Sequence, residues 1–140
     1  MKILLAVDGS EYTKRMLAYL AAHEEWLGPA HDYTAITAVP SIPPRAASVL
    51  DKSLLTGYYE DEAEKVFKPI RAFFAKQGIK AKFVDKVGHA ADVIIKAAEG
   101  GKYDLLVMGS HGHSALGSLV MGSVTTRVLA GCKTPVLLVR

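Results

Sequence analysis

Five short apolar runs, separated by segments long enough for helices, limit this chain to a small set of folds. The runs are residues 3–7, 33–39, 81–87, 104–108 and 135–139. Each is too short to be a helix, and turn signals such as Asp8-Gly9-Ser10 and Pro40 close the first two. Runs of this kind read as strands buried on both faces. Between them, apolar residues recur at helical spacing. Residues 11–27 carry Met16, Leu17, Leu20 and Leu27, with Ser10 placed to cap that helix and Gly28-Pro29 to stop it. Ala63, Val66, Phe67, Ile70, Phe73 and Phe74 form a second stripe, ended by Gly78; Pro69 inside it predicts a kink or a broken start. Residues 90–99 place Val93, Ile94, Ala97 and Ala98 on one face before Gly100-Gly101. Residues 123–129 make a last, short helix. Residues 40–56, with Pro40, Pro43 and Pro44 and little periodicity, read as a long mobile loop.

The resulting order, β-α-β-α-β-α-β-α-β, predicts an α/β fold: an open, doubly wound, five-stranded parallel sheet with helices on both faces. A strand order of 3-2-1-4-5 sets strands 1 and 4 side by side at the switch point, where ligands bind at strand C-terminal ends. Both glycine-containing turns, Asp8-Gly9-Ser10 and residues 109–123, follow those two strands. Strand 81–87 is the more polar and belongs at an edge. The 140 residues form one domain by this reading, and the 50% hydrophobic fraction supplies its core.

Composition excludes several classes. The net charge of +3 is mild, and the densest basic stretch, Lys76, Lys80, Lys82 and Lys86, carries a single aromatic, Phe83; a nucleic-acid partner is not expected. The apolar start, Ile3 to Val7, is shorter than a secretory h-region and no run approaches a membrane span, so neither membrane nor export is expected. A single cysteine, Cys132, excludes an intrachain disulfide and suits a reducing cytoplasm. The first turn lacks the G-x-G-x-x-G of dinucleotide-binding dehydrogenases, and the chain has no G-x-x-x-x-G-K-[ST] loop.

Chemistry concentrates in residues 108–125, which start at a strand end and finish at a helix start. Glycines there permit close ligand approach, and the free N–H groups of the following helix attract phosphate. Ser123 and Thr125 add hydroxyl donors. Read without further context, such a loop serves phosphate binding or simply its own turns. Asp8 is open to the same two readings, ligand contact or a turn aspartate. Val39 and Met108, taken singly, read as core.

The spacing Gly109-x-x-Gly112, nine residues, Gly122-Ser123 resembles the G-x-x-G-(nine residues)-G-[S/T] signature of the ATP-binding branch of the universal stress protein family. Residues 3–10, 88–94, 104–110 and 134–139 resemble its first strand and turn, the start of its third helix, and its fourth and fifth strands. The resemblance implies an adenine nucleotide site. In it Asp8 lies near the nucleotide, the backbone of Val39 meets adenine, Met108 and Gly109 form the floor, Gly112, Gly122 and Ser123 cradle phosphates, and Val124 and Thr125 continue the helix start. It also implies ATP as ligand, with Mg²⁺ or Mn²⁺ held through the phosphates, and a homodimer paired through the C-terminal strand, whose apolar edge invites pairing. The protein partner is unknown. His113 stands where many members have Lys or Arg, and His111 is in the same loop; with no third ligand in the pattern, these read as loop histidines rather than a metal pair. Ala90 replaces a common proline. The expected function is a nucleotide-dependent stress-response or signalling module. The alternatives are a slow ATPase or phosphotransferase, with His113 the one candidate base, or a member that does not bind nucleotide.

Overall fold

The computed structural model describes residues 1–25, 28–113 and 121–140. In chain order its elements are β1 Lys2–Ala6, α1 Glu11–Ala22, β2 Asp32–Val39, α2 Pro44–Ala47, α3 Lys52–Gln77, β3 Ala81–Val87, α4 Ala90–Gly100, β4 Leu105–Gly109, α5 Ser123–Gly131 and β5 Val136–Val139. The strands form one sheet in the order β3-β2-β1-β4-β5. All four pairings are parallel, with Leu5 of β1 in register with Ala35 of β2 on one side and Val107 of β4 on the other. This is the doubly wound α/β arrangement expected, with β3 and β5 at the two edges.

Strand parity divides the core. Ile3, Leu5 and Val7, with Tyr33, Ala35 and Val39 of β2 and Leu105 and Val107 of β4, face the layer of α1 and α3. There they meet Met16, Leu17 and Leu20 of α1 and Ala63, Phe67, Ile70 and Phe74 of α3. The alternate residues, Leu4, Ala6, Ile36, Leu106 and Met108, face α4 and α5, where Ala91, Ile94, Ala98 and Val128 cover them. The period of two along each strand and of 3.6 along each helix therefore accounts for both layers.

Four expectations are corrected. Residues 40–56 are not a plain loop: Pro44 opens the short α2 at a first helical position, where its missing N–H costs nothing, and Asp51 caps α3 by accepting the Ser53 N–H at 3.4 Å. α3 also runs on through Pro69 to Gly78, whose φ of 68° ends it. Its 26 residues span about 39 Å, against about 26 Å for β2, so its first turns outrun the sheet and carry no buried residue before Ala63. Third, Ser10 stands at the N-cap of α1 but its hydroxyl makes no cap bond; Oγ is buried and has no partner among the described residues. α1 ends at Ala22, short of the expected residue 27, and Leu27 lies outside the described residues. The spacing of Leu116, Leu119, Val120 and Met121 suggests a further turn of helix; the first three lie outside the described residues, and Met121 is in no helix.

Candidate functional site

The chain turns after β1 and after β4 at neighbouring points of the sheet edge, and a cavity of about 430 Å³ opens there. It is lined by Ala6, Val7 and Asp8 from β1 and its turn, Thr13 from α1, Ile36 and Ala38 from β2, and Ala90 and Ile94 from α4. Met108, Gly109, His111, Gly112 and His113 contribute from the β4 side, and Met121, Gly122, Ser123, Val124 and Thr125 from the start of α5. Its position at strand C-terminal ends, where β1 and β4 diverge to opposite connections, is the switch point of an open α/β sheet.

The turn after β1 is built around Asp8. Its Oδ1 accepts the Ser10 N–H at 2.9 Å and the Thr13 hydroxyl at 3.0 Å, and the Asp8 N–H reaches Thr13 Oγ1 at 3.1 Å. This is an Asx turn closed by a threonine, and Gly9, at φ 76°, supplies the left-handed residue it needs. Asp8 thus serves as the turn aspartate. Its Oδ2 is left over and faces Gly112, where an added Cβ would stand 2.7 Å from it.

The glycines of the second turn are required by close approach. A Cβ on Gly109 would lie 2.7 Å from Tyr12 Cβ, and one on Gly122 would lie 3.2 Å from His111 Cα and 3.4 Å from the Ser110 carbonyl. The Gly122 N–H donates to that carbonyl at 3.0 Å, folding the start of α5 back onto the end of β4. Thr125, fully buried, donates its hydroxyl to the Gly109 carbonyl at 3.2 Å and fixes the helix to the same strand end. Gly122 is the N-cap of α5 and has no side chain to cap with, while the first ladder bond is Thr126 N–H to the Gly122 carbonyl. The N–H groups of Ser123, Val124 and Thr125 precede that bond and stand at the positive end of the helix dipole, beside the cavity.

The two histidines tie the turn together. His113 Nε2 lies 2.6 Å from the Asp8 carbonyl oxygen, which can only accept, so Nε2 carries the proton and bridges the two turns. His111 Nδ1 is 2.9 Å from Ser110 Oγ, and its ring tilts against Tyr12 at 4.9 Å between centroids. Among the described residues no group of three His, Cys, Asp or Glu side chains gathers as a metal cluster would.

Of the residues singled out from sequence, Asp8, Met108, Gly109, His111, Gly112, His113, Gly122, Ser123, Val124 and Thr125 converge on this cavity. Val39 does not line it. Its side chain belongs to the α1/α3 core by strand parity, and its carbonyl accepts the Gly88 N–H at 2.9 Å. The β2 residues at the cavity are Ile36 and Ala38, on the other face. Sequence reading also missed Ala6, Thr13, Ala90 and Ile94. Ala6, Ile36 and Ala38 share one strand parity, and Val7, of the other parity, reaches the cavity from the end of β1.

No helix among the described residues is long and apolar enough to cross a membrane. A profile of the Universal stress protein family matches residues 1–140. The chain is 36% identical over 138 residues to the universal stress protein in the QAH/OAS sulfhydrylase 3′ region of Thermus aquaticus, covering 99% of this chain and 97% of that protein. It is 34% identical over 140 residues to universal stress protein Slr1230 of Synechocystis sp., where it covers 99% of itself but spans only 42% of the relative's length. Among solved structures, a universal stress protein in complex with cAMP superposes with a TM-score of 0.71 at 21% identity, covering 100% of this chain and 97% of the other. The universal stress protein of Archaeoglobus fulgidus in complex with dAMP gives 0.68 at 20% identity, covering 100% and 98%. At those identities the structures speak for the fold alone, whereas the profile and the sequence relatives carry the assignment: this chain belongs to the universal stress protein family.

Proposed function

We propose that the protein is an ATP-binding module, its phosphates held at the start of α5 and its adenine between Ile36, Ala38, Ala90 and Ile94. The observation that carries this is the wall of the cavity on the β4 side. Gly109, Gly112 and Gly122 let the two turns close on one another, and the N–H groups of Ser123, Val124 and Thr125, ahead of the first bond of α5, adjoin the cavity. Backbone donors at a helix start bind phosphate without a cationic side chain. The apolar residues of β2 and α4 at the other end suit a base. Related proteins solved with cAMP and dAMP support an adenine nucleotide in this fold.

Mg²⁺ or Mn²⁺ fits as a companion of the triphosphate rather than as a resident ion. Among the described residues the cavity's one carboxylate, Asp8, has Oδ1 committed to its turn and only Oδ2 to offer, so phosphate oxygens would supply most of the coordination. Turnover should be slow. Of the loop imidazoles, His113 already donates Nε2–H to the Asp8 carbonyl, which leaves Nδ1 as its single basic position. The proposed role is therefore a nucleotide-dependent signal in a stress response, in the cytoplasm, with the nucleotide state changing what the surface presents.

The proposal includes a homodimer through β5. That strand is at the sheet edge, and Val136, Leu137 and Leu138 are only half-buried. Two such edges paired antiparallel satisfy one another around a two-fold axis. Sedimentation of wild type and Leu137→Pro at micromolar concentration tests it: a dimer that becomes a folded monomer is expected, and a wild-type monomer contradicts it. For the site itself, calorimetric titration with ATP and Mg²⁺ is the test, and no heat at millimolar ATP would place the protein among relatives that do not bind nucleotide.

A further inference from the structure

The cavity has a neighbour beyond β2. Moving along the sheet edge from β4 to β1 to β2, it meets a second hollow of about 200 Å³ between the ends of β2 and β3, lined by Ala38, Pro40, Ser41, Gly88, His89 and Ala90. Ala38 and Ala90 line both, so the two spaces adjoin through the smallest side chains available.

The walls of this side hollow are pinned. The Gly88 N–H donates to the Val39 carbonyl at 2.9 Å, fixing the end of β3 to the end of β2. On the other side the Ile42 N–H donates to the Tyr59 hydroxyl at 2.9 Å, anchoring the chain just after Pro40 and Ser41 to α3. Gly88, at φ 148°, takes a conformation that side chains rarely adopt and turns the chain into α4 at His89. His89 makes no cap bond and is exposed, so its ring is not committed to the helix start. The hollow is a standing feature of the backbone and not a gap between loose side chains.

We infer that this hollow extends the base subsite, and that the protein accepts adenine nucleotides enlarged by an aromatic or alkyl group on the exocyclic amine. The inference rests on the nucleotide reading above. With phosphates at the start of α5 and the base between β2 and α4, the edge of adenine remote from its glycosidic nitrogen points onward along the sheet, toward β3. The exocyclic amine is on that edge. An apolar cavity of about 150 Å³ in another protein holds benzene, so a hollow of about 200 Å³ has room for a ring. Pro40 and the two alanines offer apolar contact, and the His89 ring offers a flat partner for stacking.

Paired titrations of the full chain with ATP and with N6-benzyl-ATP, both with Mg²⁺, test this. Wild type is expected to bind the two within about tenfold of one another. Ser41→Trp, on exposed chain and outside the main cavity, is expected to keep ATP binding and to weaken N6-benzyl-ATP by about tenfold or more. His89→Trp, from the opposite wall, should give the same pattern if Ser41→Trp perturbs its own segment. If wild type binds ATP but discriminates against the benzyl derivative by much more than about tenfold, or if both tryptophan variants weaken both ligands equally, the inference is overturned while the nucleotide reading survives. If ATP itself fails to bind, both fall together.

Discussion

The two faces of the sheet are built from the same strands yet do different work. The α1/α3 face is filled by large side chains: Tyr33, Phe67 and Phe74 are each at most 2% exposed, the Tyr33 and Phe74 rings tilt against one another at 5.7 Å, and Phe67 meets Phe83 edge to face at 5.3 Å. The α4/α5 face is covered by Ala91, Ala98, Ile94 and Val128, and at its upper end Ala6, Ala38 and Ala90 leave an opening. Large residues on one face support the fold where the helix layer is continuous. Small residues on the other stop the packing short and leave room for a ligand. The comparison separates stability from binding by address, which makes it testable by substitution.

The largest expected effect belongs to the filled face. Phe67→Ala should destabilise the protein by about 3–5 kcal/mol in denaturant unfolding, since it opens a cavity between α3 and the sheet. Nucleotide affinity of the protein that remains folded should change little. Gly122→Val reverses the pattern. Its β-carbon meets His111 Cα and the Ser110 carbonyl, both backbone, so the start of α5 must shift. ATP binding should fall by about two orders of magnitude, while the unfolding midpoint moves by less than for Phe67→Ala. Loss of stability without loss of binding in Gly122→Val would break the comparison.

Asp8→Asn should have a smaller effect, about tenfold in ATP affinity, because the amide keeps an oxygen for Ser10 and Thr13 but removes the charge facing Gly112. The smallest is Tyr33→Phe. The phenol accepts the Gly28 N–H at 2.8 Å and donates to the Gly28 carbonyl at 2.9 Å, holding the chain before β2 against the filled face. Its loss should cost about 1–2 kcal/mol. Burial raises the Tyr33 pKa above its ordinary 10.0, with the Gly28 bond opposing more weakly. The folded state therefore holds this proton more tightly than the unfolded chain. The corresponding stability is present below pH 10 and is lost as pH rises through the folded value, and that alkaline loss should be reduced in Tyr33→Phe.

The strands, their order and the glycine turns were legible because each rests on a strong local signal: apolar runs of strand length, or glycine where backbone must approach backbone. The early start of α3 was not, since residues 52–62 contain no fully buried side chain, Tyr59 alone packing partly against the core, and so carry no stripe; only Asp51 followed by Ser53 marked the cap. Val39 shows a different limit. The resemblance implied contact through its backbone, while its side chain lies in the α1/α3 core and the β2 side chains at the cavity are those of Ile36 and Ala38. Ala6, Ala38 and Ala90 were illegible for a further reason. Alanine in a strand or at a helix start signals neither core nor site until the neighbouring layer is known to stop short.

The most direct test of the central claim, that the small-residue face holds a nucleotide, is calorimetric titration of wild type and Gly122→Val with ATP and Mg²⁺ under one set of conditions. The account predicts saturable binding by wild type at a Kd below about 1 mM, and binding weaker by about two orders of magnitude for a Gly122→Val protein that keeps its cooperative unfolding. No heat from wild type at millimolar ATP, or equal binding by both proteins, would contradict it.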